Sequence, residues 1–266
     1  MAVGFARAVW NFRGFVFGSV KREFQSRYRN SLLGAAWTVL NPLAMIVVYT
    51  VIFTQIMRAK LPGVDSTFAY SIYLTAGVVT WGFFAEIVGR AQNVFIEHAN
   101  LIKKLSFPRI SLPVIVVLNA AVNFSIIFSL FLAFLLLTGT FPGIYILGVI
   151  PVLVIQTAFA IGLGISAGVL NVFFRDVGQF LNVLLQFWFW LTPIVYPASI
   201  LPESIQSAIL GYNPMAPIIG AYQGVFVYRQ WPDWFSLGIP TVVASVLCVL
   251  GLRLFRKRAG EMVDEL

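Results

Sequence analysis

Charged residues, cysteine and histidine are all scarce in this sequence of 266 residues. Only 11% of the residues are charged, whereas 59% are hydrophobic and the mean hydropathy is +0.89. These values exclude a water-soluble globular protein and indicate an integral membrane protein. Cys248 is the single cysteine and His98 the single histidine. The sequence therefore provides neither a disulfide framework nor the ligand set of a zinc site, and we expect no metal in this chain.

Two further absences concern the source of energy for transport. The sequence has no GxxxxGK[S/T] phosphate-binding loop, so the chain does not hydrolyse ATP by that route. Across the apolar runs the only acidic or basic residue is Glu86, whereas gradient-driven transporters keep titratable or coordinating groups within the membrane. If this protein pumps a substrate, a partner must supply the energy.

Six apolar runs are long enough to be transmembrane helices, since ~20 helical residues cross the ~30 Å hydrocarbon core. With both termini in the cytoplasm, all but three of the 18 basic residues lie on the cytoplasmic side, as the positive-inside rule requires. The net charge of +8 therefore follows the topology and does not indicate nucleic acid binding. The predicted spans are about 32–57, 68–88, 112–138, 144–172, 178–196 and 234–252.

Three segments outside the spans have patterns of their own. Residues 1–29 mix aromatic and basic side chains, which is typical of an amphipathic helix in the cytoplasmic membrane interface. Residues 197–233 are too apolar for a solvated loop and too rich in proline and glycine for a crossing. We expect two short re-entrant helices there, forming either a lid or a plain interfacial hairpin. Residues 253–266 form a cytoplasmic tail.

The cytoplasmic segment 91–111 has apolar residues at helical spacing. Phe95, Ala99, Ile102 and Leu105 recur among charged residues, which predicts one short amphipathic helix that ends before the next proline. Such a helix can lie on lipid headgroups, or its apolar anchors can dock in a groove on a soluble partner. The segment is therefore a candidate for coupling to an energy source.

The fifth span carries four consecutive aromatic residues, Phe187, Trp188, Phe189 and Trp190. At ~100° per residue they point all round the helix, so some must face protein or a lumen. An aromatic belt at headgroup depth, helix packing and the lining of a passage are all open interpretations. The position of the row, nearer the middle of the bilayer than either interface, favours the passage.

Two local motifs in the spans have alternative readings. Asn41-Pro42 interrupts the first span, and the kink indicates either a helix that faces the bundle interior or a bend packed between helices. Gly164, Ser166 and Gly168 formally match the GxSxG nucleophile elbow, but they lie in a long apolar run and the one histidine lies elsewhere. Small residues four apart at a helix contact explain that motif better.

Two blocks of the sequence resemble the ABC type 2 permeases, and most closely the transmembrane subunits of bacterial O-antigen and related polysaccharide exporters. The blocks are KREFQSRYRNSLLGAAWTVLNPLAMIVVYTVIF, residues 21–53, and FFRDVGQFLNVLLQFWFWLTPIVYPASILP, residues 173–202. The length, the six spans and the spacing of the blocks agree from end to end. The resemblance implies an all-α polytopic protein with an N-terminal interface helix, a cytoplasmic coupling helix and two re-entrant periplasmic helices before the last span.

The resemblance also implies partners and a location. It implies a homodimer in the bacterial inner membrane that pairs with two ATPase subunits, which bind the ATP and magnesium, so that this chain itself needs no cofactor. The cargo is expected to be an undecaprenyl-diphosphate-linked polysaccharide that moves between the two permeases, in contact with membrane lipids. Aromatic faces suit this cargo because they stack on the apolar C–H faces of sugars without binding one arrangement of hydroxyl groups tightly.

The resemblance to the ABC type 2 permeases implies roles for several residues at matching positions. Residues 5–29 correspond to the interface helix and 197–230 to the periplasmic gate helices. Arg27 and Arg29 are candidates for attracting the lipid diphosphate, although arginine at this place ordinarily sets topology. The aromatic substrate path comprises Phe187, Trp188, Phe189, Trp190 and Tyr196. The residues expected to couple to the ATPase are Glu97, His98, Leu101, Ile102, Lys103, Lys104 and Leu105.

Other functions were weighed against polysaccharide export. An exporter of drugs or small lipids belongs to the same superfamily, and the aromatic row disfavours it without excluding it. A membrane-embedded transferase needs acidic, histidine or metal-binding residues at one face, and the external face offers only the scattered Asp65, Glu203 and Asp233. A purely structural scaffold is the residual alternative.

Overall fold

The computed structural model describes residues 12–28, 34–56, 61, 64, 66–104, 109 and 111–266, and this part of the chain is helical. Within it, the only β-type pairing is an isolated bridge between Leu61 and Val64. Arg29 and Leu105 lie outside the described residues, as do the side chains of Arg27 and Lys104. The all-α expectation is confirmed.

The helices are numbered in chain order. A 3-10 turn, Gly34–Ala36, precedes the helix Trp37–Thr50, and a π-helix, Val51–Ile56, continues that helix. Another 3-10 turn, Gly143–Gly148, leads into the helix Val149–Phe173. The helices are α1 Arg13–Tyr28, α2 Trp37–Thr50, α3 Ala69–Ala91, α4 Val94–Glu97, α5 Ala99–Lys104, α6 Ser111–Leu137, α7 Val149–Phe173, α8 Asp176–Leu191, α9 Glu203–Tyr212, α10 Met215–Tyr228, α11 Gly238–Arg258 and α12 Glu261–Glu265.

Four helices of the described structure are long and apolar enough to cross a membrane. They are Ala69–Ala91, Ser111–Leu137, Gly143–Phe173 and Gly238–Arg258. The first and fifth predicted spans contain the shorter helices α2 and α8. The protein is thus a multi-pass helical membrane protein, and the six-span arrangement stays a prediction.

Helix α8 ends earlier than the sequence pattern predicts. We expected the fifth span to reach residue 196, but the helix covers 16 residues, Asp176–Leu191, or ~24 Å. Thr192 precedes Pro193, and its backbone is extended, with φ −99° and ψ 136°. The ring of a proline disfavours the helical conformation of the residue before it, so the apolar sequence continues while the helix stops.

Helix α3 is the central helix of the bundle and packs against α2, α6, α7, α8 and α10. Phe84, Ile87 and Val88 on this helix are fully buried. Glycines let α7 approach it closely: a Cβ atom on Gly164 would lie 2.6 Å from Ala91 Cβ, and one on Gly168 would lie 2.5 Å from the Ala91 carbonyl oxygen. The small residues therefore mediate helix packing, as expected, and do not form a nucleophile elbow.

The predicted pair of short helices is present, but its members differ in burial. Helix α9 has no buried residue, whereas most of α10, including Ile218, Tyr222 and Val225, is buried against α3 and α7. A lid made of both helices would need α10 to leave the core. Only α9 has the exposure expected of a lid.

The coupling segment consists of two helices and not of one. Helices α4 and α5 are separated at His98, where the backbone leaves the helical region at φ −105° and ψ 21°. The buried Phe95 stacks on Phe255 of α11 at 5.5 Å, and the buried Ile102 shares a hydrophobic cluster with Met262 of α12. Two of the predicted apolar anchors, Phe95 and Ile102, therefore pack on the C-terminal helices of their own chain.

The predicted interface helix is described only from Phe12 onwards. In this part, apolar residues do not collect on one face of α1: Val16 is buried and its neighbour Phe17 is 64% exposed. The amphipathic character expected of residues 1–29 is therefore weak between Arg13 and Tyr28.

Candidate functional site

The aromatic row of α8 divides into an inward pair and an outward pair. Trp188 makes edge-to-face contacts with Trp81 and Phe84 of α3, at 6.1 and 5.6 Å between ring centroids. Phe189 also packs on Trp81, at 5.9 Å. Phe187 and Trp190 are 66% and 62% exposed. The structure thus assigns helix packing to one pair and leaves the other pair available to a passage.

Polar residues share the exposed face of α8 with Trp190. Gln179, Val183, Gln186 and Trp190 follow one another at intervals of four, three and four residues, and all four are exposed. Residues at this spacing form one stripe along a helix. We call it the α8 stripe. The spacing of the two glutamines is visible in the sequence, but the aromatic pattern alone does not identify them.

The chain reverses direction directly after α8, and side chains hold the turn. Tyr70 and Tyr73 of α3 donate hydrogen bonds to the carbonyl oxygens of Val195, at 2.6 Å, and of Pro193, at 3.0 Å. The Tyr196 hydroxyl donates to the carbonyl oxygen of Trp190 at 2.7 Å. Within a membrane protein, backbone groups that leave a helix need such partners. Tyr196 is therefore part of the turn and only partly exposed.

Asn213 connects the aromatic row to the turn between α9 and α10. Its Oδ1 accepts hydrogen bonds from the Trp188 indole N–H at 2.8 Å and from the Met215 backbone N–H at 3.0 Å. Its Nδ2 donates to Thr192 Oγ1 at 3.0 Å. A cleft of about 500 Å³ opens beside it, lined by Leu184, Trp188, Leu191, Ala208, Ile209, Tyr212, Asn213 and Pro214.

A charged cluster lies at the opposite end of α3. Arg90 pairs with Glu23 of α1 and, at 3.3 Å, with Glu86 one helical turn earlier. Asn119 of α6 donates to Glu23, and Asn123 donates to Glu86 Oε1 at 2.6 Å. The cluster joins α1, α3 and α6. The sequence marked Glu86 as unusual but did not reveal its bond to Asn123, because Asn123 is distant in the chain.

The coupling segment adjoins this cluster and presents a polar surface. Glu97 and Lys103 are exposed, whereas His98 and Leu101 are half-buried and Ile102 is buried. Ile102 therefore positions the segment and does not offer an anchor to a partner. The exposed residues of α4 and α5 form what we call the coupling surface.

Asn171 links the start of α8 to the coupling segment. Its Nδ2 donates to the carbonyl oxygen of Gln92 at 2.9 Å, and its Oδ1 accepts from the Gly178 N–H at the same distance. Gln92 in turn donates to Asn182 of α8 at 2.7 Å. The coupling segment is therefore bonded directly to α8, the helix that carries the α8 stripe.

Asn41 and Pro42 are placed differently on α2. Pro42 is buried, and Asn41 is exposed beside a small cavity between α2, α3 and α6. As for metals, the described residues contain no group of three or more histidine, cysteine, aspartate or glutamate side chains that could hold an ion.

These features define a multi-pass helical membrane protein with a polar coupling surface at one end and an aromatic helix beside a pinned turn at the other. Comparison with known families gives its class. Residues 16–227 match the model of the ABC-2 type transporter family. The chain belongs to the ABC-2 type transporter family.

Individual relatives of this chain are named as polysaccharide transport proteins. The chain is 31% identical over 261 residues to an O-antigen export system permease protein of Myxococcus xanthus, covering 98% of both chains. It is 31% identical to a permease of the same name from Klebsiella pneumoniae, covering 89% of this chain and 88% of the relative. A polysialic acid transport protein of Escherichia coli is 21% identical, with 91% of this chain and 92% of the relative covered.

Proposed function

We propose that this protein is the permease subunit of an ATP-driven ABC transporter that exports O-antigen or a related lipid-linked polysaccharide across the bacterial inner membrane. The observation that carries the proposal is 31% identity along almost the whole chain to an O-antigen export permease. Membership of the ABC-2 type transporter family supports the transport class. The cargo is an undecaprenyl-diphosphate-linked glycan, and both termini of the permease lie in the cytoplasm.

Energy reaches the permease from a separate ATPase. The sequence lacks a phosphate-binding loop, so ATP and magnesium bind to the partner. The ATPase docks on the coupling surface, where Glu97 and Lys103 are exposed. Two permeases and two ATPases form the working assembly. Arg27 and Arg29 attract the lipid diphosphate, an assignment that rests on their sequence position.

The α8 stripe lines the passage between the two permeases. Glutamine amides are costly on a face that contacts lipid, so an exposed membrane face with Gln179 and Gln186 favours a lumen or a second copy. Trp190 adds an aromatic surface to the same stripe. Amides bond to sugar hydroxyls and the indole stacks on sugar C–H faces, which suits a sliding polysaccharide.

One observation favours a second candidate, the export of a drug or small lipid. The cleft between α8 and α9 is mainly apolar, and its volume of about 500 Å³ lies within the ~300–1,000 Å³ of pockets for drug-sized ligands. Tyr212→Asp in the cleft separates the two candidates. It would abolish drug or lipid export, whereas polysaccharide export through the α8 stripe would continue.

The proposal is tested by restoring surface polysaccharide to a host whose own permease gene is deleted. The wild-type chain with its ATPase should restore the polymer, and Gln186→Leu combined with Trp190→Ala should lower surface polymer at least about tenfold while the lipid-linked precursor accumulates. Trp234→Ala is the matched control, because Trp234 is 50% exposed and lies outside the stripe. Failure of the wild-type chain to restore any polymer would refute the proposal.

The orientation is tested with an impermeant thiol reagent on intact cells. In a Cys248→Ser background, a cysteine replacing the exposed Ser204 of α9 should be labelled from outside. A cysteine replacing the exposed Asp264 of α12 should react only after lysis. The reverse result would invert the proposed topology.

A further inference from the structure

A small cavity lies between α2, α3 and α6, on the side of α2 that carries Asn41. It encloses about 200 Å³. This is smaller than the ~300–1,000 Å³ typical of sites for drug-sized ligands, and it suits a single ring. The cavity is lined by Trp37, Thr38, Asn41, Pro42, Glu86, Asn123, Ile126 and Ile127.

Glu86 gives this cavity an unusual chemical character. Both of its hydrogen bonds, from Asn123 at 2.6 Å and from Arg90 at 3.3 Å, end on Oε1. Within the described part of the chain, Oε2 has no hydrogen-bond partner, and the side chain is 26% exposed. A carboxylate within an apolar helix is costly, so one that lines a cavity and has an unbonded oxygen indicates a ligand. An ionised carboxylate only accepts hydrogen bonds, so that ligand must bring donors.

The other walls define the remaining chemistry of the ligand. Trp37 is 42% exposed and offers an aromatic face, which requires a flat apolar surface on the ligand. Asn41 is exposed and supplies both a donor and an acceptor. A small ring that carries hydroxyl donors at its edge and C–H groups on its face meets all three requirements. A pyranose ring has this structure.

We propose that the cavity is a binding subsite for one sugar ring of the transported glycan. Trp37 stacks on the ring, Glu86 Oε2 accepts hydrogen bonds from its hydroxyls, and Asn41 orients it. The inference rests on the proposed function, and it locates a first sugar contact away from the α8 stripe. Glu86 lies five residues before the end of α3, or ~7.5 Å along the helix, near the end of the bundle that carries the coupling surface.

The same chemistry disfavours the diphosphate of the lipid carrier and a metal ion. A phosphate would meet the negative charge of Glu86 directly, which is repulsive in a low-dielectric site. A metal would need more ligands than this cavity supplies, and no group of three acidic, histidine or cysteine residues occurs in the described structure. The ammonium of a phospholipid headgroup also suits a carboxylate, so the experiment must separate lipid from sugar.

Site-specific photocrosslinking tests the proposal in the complete transporter. The photoreactive residue p-benzoylphenylalanine replaces Ile126, which lines the cavity, in a host where the wild-type chain exports polysaccharide. Irradiated permease is purified and assayed for covalently attached carbohydrate by periodate oxidation and for phospholipid by mass spectrometry. The same replacement at Ile150, which is 60% exposed on α7 outside the cavity, is the matched control. Carbohydrate should attach at 126 and not at 150.

Second-site variants identify the contacts. Trp37→Leu in the Ile126 probe background should lower attached carbohydrate at least about fivefold, and Trp37→Phe should retain it, because phenylalanine keeps an aromatic face. Asn41→Leu should give a similar loss. Three outcomes would overturn the subsite: attachment of phospholipid alone, equal attachment of carbohydrate at 126 and 150, or no effect of Trp37→Leu. In each case, export of polysaccharide by the wild-type chain would still uphold the proposed function. If replacement of Ile126 stops export, the photoreactive residue is placed at Ile127 instead.

Discussion

The two ends of helix α3 are held by different chemistry. At its start, Tyr70 and Tyr73 donate neutral hydrogen bonds to backbone carbonyl oxygens of the turn that follows α8. At its other end, Arg90 pairs with the carboxylates of Glu23 and Glu86, which are only partly buried. We call these the turn end and the coupling end.

The difference predicts that the turn end is held more rigidly than the coupling end. Tyr73 is buried and Tyr70 is half-buried, and their hydrogen bonds to backbone groups fix the position of the chain, because breaking them leaves polar groups unsatisfied. Ion pairs between long, partly exposed side chains can exchange partners and solvate at lower cost. The coupling end lies where the proposed ATPase acts, so the bonds that can rearrange occur where movement is needed. The turn end holds the residues that follow α8 against α3.

Removing the central charge of the coupling end should have the largest effect on stability. Arg90→Met keeps the length of the side chain but leaves two carboxylates without their shared cation. Because the side chains are 26–37% exposed, the cost should fall between those of exposed and buried ion pairs, at about 2–3 kcal/mol. Chemical unfolding of the detergent-solubilised protein measures this loss.

The matched control for that substitution is Arg253→Met. Arg253 is exposed on α11, so its replacement should change the free energy of unfolding by less than about 0.5 kcal/mol. If Arg90→Met is as mild as the control, the coupling end is not held by this cluster.

The turn end depends on Asn213, which bonds to groups before and after the reversal of the chain. Asn213→Ala removes the acceptor of the Trp188 indole N–H and of the Met215 N–H. Because the site is only partly buried, water replaces some of these bonds, and we expect a loss of about 1–2 kcal/mol. High salt should leave this loss unchanged, whereas it should shrink the Arg90 effect. An equal salt response of both variants would remove the distinction between the two ends.

A single hydroxyl at the turn end should have a smaller effect. Tyr73→Phe removes the donor to the carbonyl oxygens of Pro193 and Tyr196, at 3.0 and 3.1 Å, but Gln223 still donates to Pro193 at 3.1 Å. The expected loss is about 1 kcal/mol. Tyr145→Phe is the control, because Tyr145 is half-buried and contacts Trp231 through its ring. A loss no greater than that of the control would show that the hydroxyl does not hold the turn.

The sequence predicted the helical class and the packing role of the glycines because both depend on local spacing. Apolar runs of sufficient length produced α3, α6, α7 and α11, and residues four apart placed Gly164 and Gly168 on one face. The hydropathy pattern overestimated the length of α8, because it reflects the apolar character of the side chains and not the effect of Pro193 on the backbone. A similar limit applies to the coupling segment, where helical spacing did not reveal the break at His98.

The candidate site was only half predictable for a different reason. The four aromatic residues of α8 were visible in the sequence, but which of them face inward depends on Trp81 and Asn213, which are distant in the chain. Glu86 was visible as a lone charge, whereas the bonds from Asn123 to Glu86 and from Arg90 to Glu23 form only through the packing of three helices. Long-range contacts of this kind leave no periodic signal along the chain.

The coupling surface should contribute least to stability and most to the binding of the proposed ATPase. Lys103 is exposed on α5, so Lys103→Glu should change the free energy of unfolding by less than about 0.5 kcal/mol. Charge reversal at an interface places like charges together, and we expect ATPase co-purification to fall about tenfold. Lys257→Glu, an exposed reversal on α11 outside this surface, should leave co-purification unchanged. If Lys103→Glu destabilised the permease as much as Arg90→Met does, the coupling surface would itself hold the fold together. The coupling end would then be as rigid as the turn end, and the difference between the two ends would disappear.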